Sequence, residues 1–425
     1  MEGESKDLAI EIELLDREWT EKLQNVKLPE MDEIHTQCIY RVPPNIREYN
    51  PKAYTPQTVS IGPYHHHNNY EGMEELKLKY LKGFLNRTEL PIREFLAKIK
   101  DLEEKIRVCY ADRIIYNSHD FLNMILVDAC FIIELLLRWH EYDEWEKKDP
   151  LLQKPLLGTY ICIDLILLEN QLPFFVLEQL YNLTGMNEKL LDITFDYFES
   201  AQLGNVCPIE SPKHFTDLIR SSIISSSELG LGKPEEGKEV NHVCSASQLM
   251  EAGLKFKISP NKSLLDLTYS KRDGAVSMPM LNIDDITEVL FKNMMVYEQC
   301  HPSAGDIIRQ YVEILDFLIN TEKDVDILVN KKIIVNLTGD ANKVVTMINN
   351  LTSNIPTPDF NSHYFSICNS LNEFYDNPRN KYKAIFIHEY FNTPWKIAST
   401  IAAIVLLLLT FIQTVCSILS ILSLF

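Results

Sequence analysis

Apolar residues recur every three or four positions along most of this chain, which is the period of a helix with one buried face. The N-terminal stretch shows this pattern within a strongly charged background. Its apolar stripe consists of Leu8, Ile12, Leu15, Trp19, Leu23 and Val26. The pattern predicts an amphipathic helix in an N-terminal arm, residues 1–34. The stripe either packs against the rest of the chain or binds a partner helix.

Further stripes of the same period predict a large helical soluble head, which we place at residues 35–390. Two longer apolar stretches, Phe121–Trp139 and Tyr160–Leu177, contain charged residues. An Asp, Lys or Arg at mid-membrane costs about 2.5 to 3.5 kcal/mol, so we expect buried helices of the head here, not membrane spans. The second helix should break at Leu172-Pro173. Other helices are predicted to begin near Glu71, Asp285, Asp306, Asn342 and Asn361.

Two parts of the head depart from the helical period. Arg41–His67 contains five prolines, which exclude a helix, and its large apolar side chains predict an extended segment laid across the core. Between residues 254 and 281, apolar and polar residues alternate, which predicts a small β-meander inserted among the helices. The preceding residues, 221–247, are rich in Ser, Gly, Pro and Glu and predict a mobile loop.

The last apolar stretch, Ile397–Phe425, contains no Asp, Glu, Lys or Arg. About 20 apolar residues suffice to cross the hydrocarbon core of a bilayer. We therefore predict one C-terminal transmembrane helix, from Ile397 through Leu406 and Leu408 to about Ile418, within an anchor at residues 391–425. The alternative is a buried C-terminal helix.

The residues just before this stretch suit a membrane interface. Tyr390 and Trp395 can join an aromatic belt, and Lys396 can extend its ammonium group to the headgroups. Basic residues precede the span and none follows it, so we expect a single-pass protein of the plasma membrane or an endomembrane with a cytosolic head. An extracellular or lumenal head stays open because of five glycosylation sequons. They begin at Asn86, Asn182, Asn261, Asn336 and Asn350.

Composition and charge narrow the classes of partner. The chain has 425 residues and a net charge of -19 at pH 7. Nucleic-acid binders neutralise phosphates with Lys and Arg, so we expect no nucleic-acid partner. The nine cysteines form no CxxC pair, which is typical of reduced thiols in a cytosolic protein.

Candidate chemistry is confined to a few polar clusters. Adjacent histidines on an extended chain point to opposite sides, so within His65-His66-His67 only His65 and His67 could share a metal. A catalytic zinc needs three protein ligands, and no nearby motif supplies the others. We expect Asp128 and Glu134 to be hydrogen-bonded structural acids. Asp285-x-x-Glu288 predicts a capping box. No catalytic residue or cofactor is expected, because no GxSxG, GxxxxGK[ST], GxGxxG or HExxH motif is present.

Several blocks, in order, resemble the plant-specific proteins that carry domain of unknown function 247. They include "NIREYNPKAYTPQTVSIGPYHH", "MILVDACFIIELL", "DLILLENQLPFFVLEQLY", "MPMLNIDDITEVLFKNMMVYEQ" and "YFNTPWKIASTIAAIVLLLLTFIQT". The resemblance covers about residues 35–420 and implies a largely helical head with a C-terminal membrane anchor. The family has no established catalytic residues. Some members are associated with self-incompatibility in grass pollen, and others with development or stress responses.

These observations lead to two hypotheses from different classes. The first is a membrane-anchored, non-enzymatic interaction or recognition protein of mainly α fold, whose partners are the bilayer and unknown proteins. The second is a metal-dependent hydrolase or transferase that uses the His65/His67 region.

Overall fold

The apolar stretch that contains Asp128 and Glu134 forms the longest helix of the head. In the computed structural model of the chain it runs from Ser118 to His140, and the side chain of Asn117 caps its first turn. Nearly every side chain from Phe121 to Arg138 is buried, including both acids. The prediction of a buried core helix is confirmed.

The structure describes residues 2–24, 36–67, 70, 72–198, 206–207, 211–227, 237–240, 242–260, 263–301, 303–391 and 394–422. For residues 2–11, and for several between 381 and 391 and after 417, it describes the backbone alone.

These residues form a mainly helical protein, as the sequence predicts. The helices are α1 (Glu2–Gln24), α2 (Pro44–Arg47), α3 (Met73–Thr88), α4 (Ile92–Val108), α5 (Ser118–His140), α6 (Tyr142–Trp145), α7 (Pro155–Leu165), α8 (Phe174–Asn182), α9 (Leu190–Tyr197), α10 (Phe215–Ser225), α11 (Ala246–Glu251), α12 (Asp285–Cys300), α13 (Ile307–Leu318), α14 (Glu322–Asn330), α15 (Ala341–Thr352), α16 (Ser362–Asp376), α17 (Pro378–Phe391) and α18 (Pro394–Leu422). A single 3-10 turn covers Pro51–Tyr54.

Five short strands form two small sheets. They are β1 (Lys255–Ile258), β2 (Thr268–Ser270), β3 (Ala275–Met278), β4 (Leu281–Ile283) and β5 (Ile334–Asn336). The small sheet at 254–281 is present, but its strand order is β1-β3-β2, so the predicted meander order is wrong. β3 lies in the middle, parallel to β1 and antiparallel to β2. Alternation identifies which residues form strands but carries no information on which strands pair.

Two groups of helices pack into one continuous core. In the N-terminal group, α3, α4, α8 and α9 pack around α5. In the C-terminal group, α12 contacts α10, α13 and α15, and the parallel β4–β5 pair packs beside α14. Buried apolar residues of both groups belong to a single cluster.

Several helix starts match their sequence signals. Asn361 accepts the N–H of Tyr364 at the start of α16, and Asp340 caps α15. The capping box of α12 lies one residue earlier than predicted. Asp284, not Asp285, caps the helix, and Thr287 completes the box. The break before α8 also begins earlier, because α7 already ends at Leu165.

The predicted loop at 221–247 is shorter at both ends. α10 continues to Ser225, and α11 begins at Ala246. Val240, Val243 and Cys244 are buried. Residues 228–236 and 241 lie outside the described part of the chain.

The amphipathic arm forms the predicted helix, but its stripe does not pack on the head. Ile12, Leu15 and Trp19 are exposed in α1, Trp19 at 58%. The side chain of Leu8 lies outside the described part of the chain. Of the two alternatives drawn from the sequence, packing against the head is therefore wrong for the described part of the stripe.

Phe174 and Phe175 offer a test of the core around α8. Phe174 is fully buried and contacts the ring of Phe215, whereas Phe175 is partly buried with Lys105 Nζ 4.3 Å from its ring centre. We expect Phe174→Ala to lower the free energy of unfolding by about 3 to 5 kcal/mol. Phe175→Ala should cost less, because water already reaches its ring. Urea unfolding of both variants in detergent measures the difference, and equal losses would contradict this packing.

Candidate functional site

The proline-rich segment crosses the head without joining a sheet. Residues 55–65, all of them described, contain no strand. Val59, Ile61 and Tyr64 are nevertheless buried. Buried backbone N–H and C=O groups need hydrogen-bond partners, and here no neighbouring strand supplies them. Side chains from α3, α5, the end of α7 and the α7–α8 connection take that role.

Asp164 at the end of α7 accepts three consecutive backbone amides. The N–H of Gln57 lies 2.9 Å from its Oδ1, and those of Thr58 and Val59 lie 2.6 and 2.8 Å from its Oδ2. Burial raises the pKa of Asp164 to about 6, although the three amides oppose the shift. The carboxylate therefore organises the segment in the way that a cap organises a helix start.

Asn170 binds the next part of the segment with both ends of its amide. Its Oδ1 accepts the N–H of Ile61 at 2.7 Å. Its Nδ2 donates to the carbonyls of Val59 and Asp164, both at 2.9 Å. Asn170 is fully buried, so these three bonds replace water completely.

Asp128 of α5 and Lys77 of α3 bind the backbone of the segment at Ser60 and Gly62. Asp128 accepts the N–H of Gly62 at 2.8 Å, and Lys77 Nζ donates to the carbonyl of Ser60 at 2.6 Å and to Asp128 at 2.8 Å. Gly62 has φ +69°, and a Cβ there would lie 2.7 Å from the carbonyl oxygen of Gln171. Glycine is therefore required on two independent grounds.

Glu169 contacts basic residues from both ends of the segment. It accepts the N–H of Val42 at 2.6 Å and pairs with Arg47. His65 Nε2 lies 3.0 Å from its Oε2, and Arg41 lies 3.9 Å away. Burial would raise the pKa of Glu169, but His65 and Arg47 hold it below its usual value. The cluster is a charge-paired clamp between the α7–α8 connection and the segment.

The three histidines have separate surroundings. His65 is buried against Glu169, the ring of His66 lies 5.7 Å from that of Tyr116, and His67 is exposed. Across the described residues, no group of three or more His, Cys, Asp or Glu side chains could hold a metal. The geometry therefore gives the metal-dependent alternative no site within that part of the chain.

Only part of this network follows from the sequence. Asp128 and Glu134 are hydrogen-bonded structural acids, as predicted: Glu134 pairs with Arg87 and Arg138. Gln171 Nε2 donates to the carbonyls of Leu165 and Leu167, at 2.6 and 2.8 Å. The reach of Glu169 and Asn170 to residues 42–61, and the roles of Asp164 and Lys77, were missed. For Asp164, Glu169 and Asn170 the one sequence signal is a polar residue within a strongly apolar stretch. Lys77 lies in a charged helix and carries no such signal.

An apolar cavity of about 320 Å³ opens between α5 and α7. None of its ten lining residues carries a charge, and Trp139 and Tyr197 meet edge to face with ring centres 5.5 Å apart. Its size lies at the small end of the range for ligand pockets. Such a lining can accept an apolar or aromatic group and offers no carboxylate or imidazole for acid–base chemistry. The residues are Leu135, Trp139, Tyr142, Leu151, Leu152, Pro155, Gly158, Thr159, Cys162 and Tyr197.

The predicted anchor lies in a second candidate site, helix α18. Of the described helices, one is long and apolar enough to cross a membrane, over the 24 residues Pro394–Ser417. Ile397, Leu406 and Leu408 are exposed, whereas the side chain of Ile418 lies outside the described part of the chain. Tyr390 and Trp395 are exposed at the approach to this helix, Trp395 at 84%, and Lys396 is partly exposed. The alternative of a buried C-terminal helix is wrong, because none of this stretch is buried.

Replacing Asn170 by Asp tests the backbone clamp with an isosteric change. In Asn170→Asp, an acceptor would face the carbonyls of Val59 and Asp164, so we expect a loss of about 3 to 5 kcal/mol of unfolding free energy at neutral pH. The loss should shrink as the pH falls toward 4, because the folded state then takes up a proton and regains one donor. Denaturant titration at two pH values measures both effects. Asn187→Asp, at an exposed position, is the matched control; equal losses would refute the clamp.

Sequence comparisons place the chain among plant proteins. Residues 39–409 match the family DUF247, described as plant protein of unknown function. UPF0481 protein At3g47200 of Arabidopsis thaliana is 30% identical over 420 residues, which cover 90% of this chain and 86% of that protein. Putative UPF0481 protein At3g02645, of the same plant, is 22% identical over 498 residues, or 92% of each chain. No solved structure matches. The chain, matched over most of its length and folded as a helical head with an apolar C-terminal helix, thus belongs to the DUF247 family of plant proteins of unknown function.

Proposed function

We propose that this protein is a membrane-anchored, non-enzymatic interaction or recognition protein, with the bilayer as one partner and other proteins as the rest. The observation that carries the proposal is the exposed apolar surface of α18. A mainly apolar stretch of 24 residues in water would leave far more apolar area exposed than monomeric soluble proteins tolerate. A bilayer removes that cost.

The flanks of α18 support insertion. Each Leu, Ile or Phe at the centre of a span contributes roughly 0.3 to 0.6 kcal/mol, and no charged residue follows Lys396 within the helix to oppose them. Trp395 and Tyr390 suit the headgroup region. Arg379, Lys381 and Lys396 precede the span, so the positive-inside rule favours a cytosolic head.

The exposed stripe of α1 supports a protein partner. Ile12, Leu15 and Trp19 present an apolar face of the kind that enters a groove or pairs with another helix. Acidic residues outnumber basic residues in α1. An anionic membrane surface would repel this helix, which favours a protein partner over lipid.

The buried ionisable groups support a non-enzymatic role. Asp128, Asp164 and Glu169 all bind backbone amides or basic side chains in the clamp. A general acid or base must instead face a substrate. Signalling in self-incompatibility, development or stress would each fit a recognition protein of this kind.

Removing the apolar helix tests the anchor and its orientation in one experiment. The full chain should stay in the membrane pellet after an alkaline wash, and a variant lacking residues 397–425 should move to the supernatant. Deletion of residues 2–24 is the control and should leave the protein in the pellet. Protease added to intact vesicles should digest a cytosolic head.

Two outcomes would count against these proposals. Persistence of the truncated chain in the washed pellet would show a second attachment. A protected head whose mobility changes with glycosidase would place it in the lumen and make recognition between cells the better function.

Changing the stripe of α1 tests the partner proposal. Proximity labelling in plant tissue should lose a set of labelled proteins when Ile12, Leu15 and Trp19 are all replaced by Ser. Replacing the exposed polar residues Glu13, Asp16 and Arg17 by Ser is the matched control and should keep that set. Identical labelling by both variants would remove α1 from the interaction.

A further inference from the structure

The first described residues of the head pair with the end of α4. The N–H groups of Cys38 and Ile39 lie 2.9 and 3.0 Å from the carbonyl oxygen of Cys109, and the N–H of Ala111 lies 2.9 Å from that of Ile39. Ile39 and Tyr110 form a parallel bridge. Cys38 and Cys109 each precede one partner of this bridge, so the two residues are neighbours across it.

The two thiols contact each other. Both residues are buried, and the interaction between the two thiols is the first cause of the pKa shift of each. It lowers the pKa of Cys109, with help from Lys105 and Lys213, and it raises the pKa of Cys38. The Cys109 thiol also donates to the carbonyl of Lys105, at 3.3 Å. A thiol of lowered pKa beside a second thiol resembles a nucleophile beside its resolving partner.

Three other thiols of the head, Cys130, Cys162 and Cys368, differ from this pair. Burial raises the pKa of Cys162 and of Cys368 to about 12, which suppresses their thiolates. Cys130 lies within the core of α5 and is also fully buried. These thiols are expected to be inert toward oxidants.

We propose that Cys38 and Cys109 are the two partners of a disulfide that forms when the head meets a peroxide. The Cys109 thiolate attacks one peroxide oxygen, which breaks the O–O bond and gives a sulfenic acid and hydroxide. The Cys38 sulfur then attacks the sulfenic sulfur, the S–S bond forms, and the hydroxyl leaves as water. Two thiols are oxidised, one peroxide is reduced, and two waters are released in all.

The position of the bond gives it a structural effect. It closes a loop from Cys38 to Cys109 that contains the whole proline-rich segment together with α3 and α4. His214 Nε2 already lies 2.9 Å from the carbonyl oxygen of Cys38, so Cys38 also contacts the start of α10. Oxidation would therefore fasten the segment that the polar side chains hold, and would stabilise the head by restricting the unfolded chain.

The redox state of the pair also reports on compartment, and it does so without reference to the anchor. Cytosolic glutathione keeps thiols reduced, whereas the secretory pathway and cell surface favour disulfides. A bond that is present in protein from plant membranes without added oxidant would favour a head outside the cytosol. A reduced pair that oxidises only with peroxide fits a cytosolic head.

Peptide mapping tests the pairing directly. The full chain in detergent micelles is held in dithiothreitol or treated with hydrogen peroxide, then alkylated under denaturing conditions and digested without reduction. We expect one cross-linked peptide that joins Cys38 to Cys109 in the oxidised sample only, with dithiothreitol restoring both free thiols. The melting temperature should rise by about 5 °C on oxidation.

Single variants show which cysteines cause the rise in melting temperature on oxidation. Cys38→Ala and Cys109→Ala should each abolish it, and the matched control Cys130→Ala should retain it. If a variant fails to fold, the peptide map of the unaltered chain still shows whether Cys38 and Cys109 are joined. Full alkylation of Cys38 and Cys109 after peroxide would overturn the proposal. So would pairing of either thiol with a different cysteine, or conversion of Cys109 to sulfinic acid.

Discussion

The head depends on one constraint: a buried, proline-rich segment must satisfy its backbone without a neighbouring strand. Asp164, Asn170 and Asp128 accept its N–H groups, and Lys77 and Asn170 donate to its carbonyls. An unpaired buried backbone group costs about 1 to 3 kcal/mol. Loss of several of these partners together would therefore consume most of the 5 to 15 kcal/mol that stabilises a typical domain.

The same segment joins the two groups of helices. On one side its clamp residues come from α3, α5, the end of α7 and the α7–α8 connection. On the other side Tyr54 and Val42 pack with Val296 and Tyr297 of α12 in a separate apolar cluster. Asn293 of α12 bridges both groups, because its Nδ2 donates to the carbonyl of Ala53 and its Oδ1 accepts the N–H of Leu168. Polar side chains that are unusual in apolar helices thus serve the fold, and their burial does not indicate catalysis.

The buried polar side chains and the exposed apolar surfaces of the head have different roles. The buried acids and His65 are committed to structural contacts, so the interaction that we propose would use surfaces that the fold leaves uncovered. These surfaces include the stripe of α1, the apolar cavity between α5 and α7, and the apolar helix α18. The two cysteines at the edge of the clamp add covalent chemistry at the point where the described head begins.

The sequence by itself determined the local features. Helical periodicity located α5, α13 and α15, Asn361 marked a helix start, and an uncharged apolar run identified α18. Each of these depends on residues within a few turns of one another. Only the tertiary structure decided the central position of β3, the exposure of Trp19 and the approach of Cys38 to Cys109. It also decided that Glu169 faces His65, and that Asp164 binds residues more than a hundred positions away. Such pairings are set by how helices pack in space, and a pattern along one chain has no period that records them.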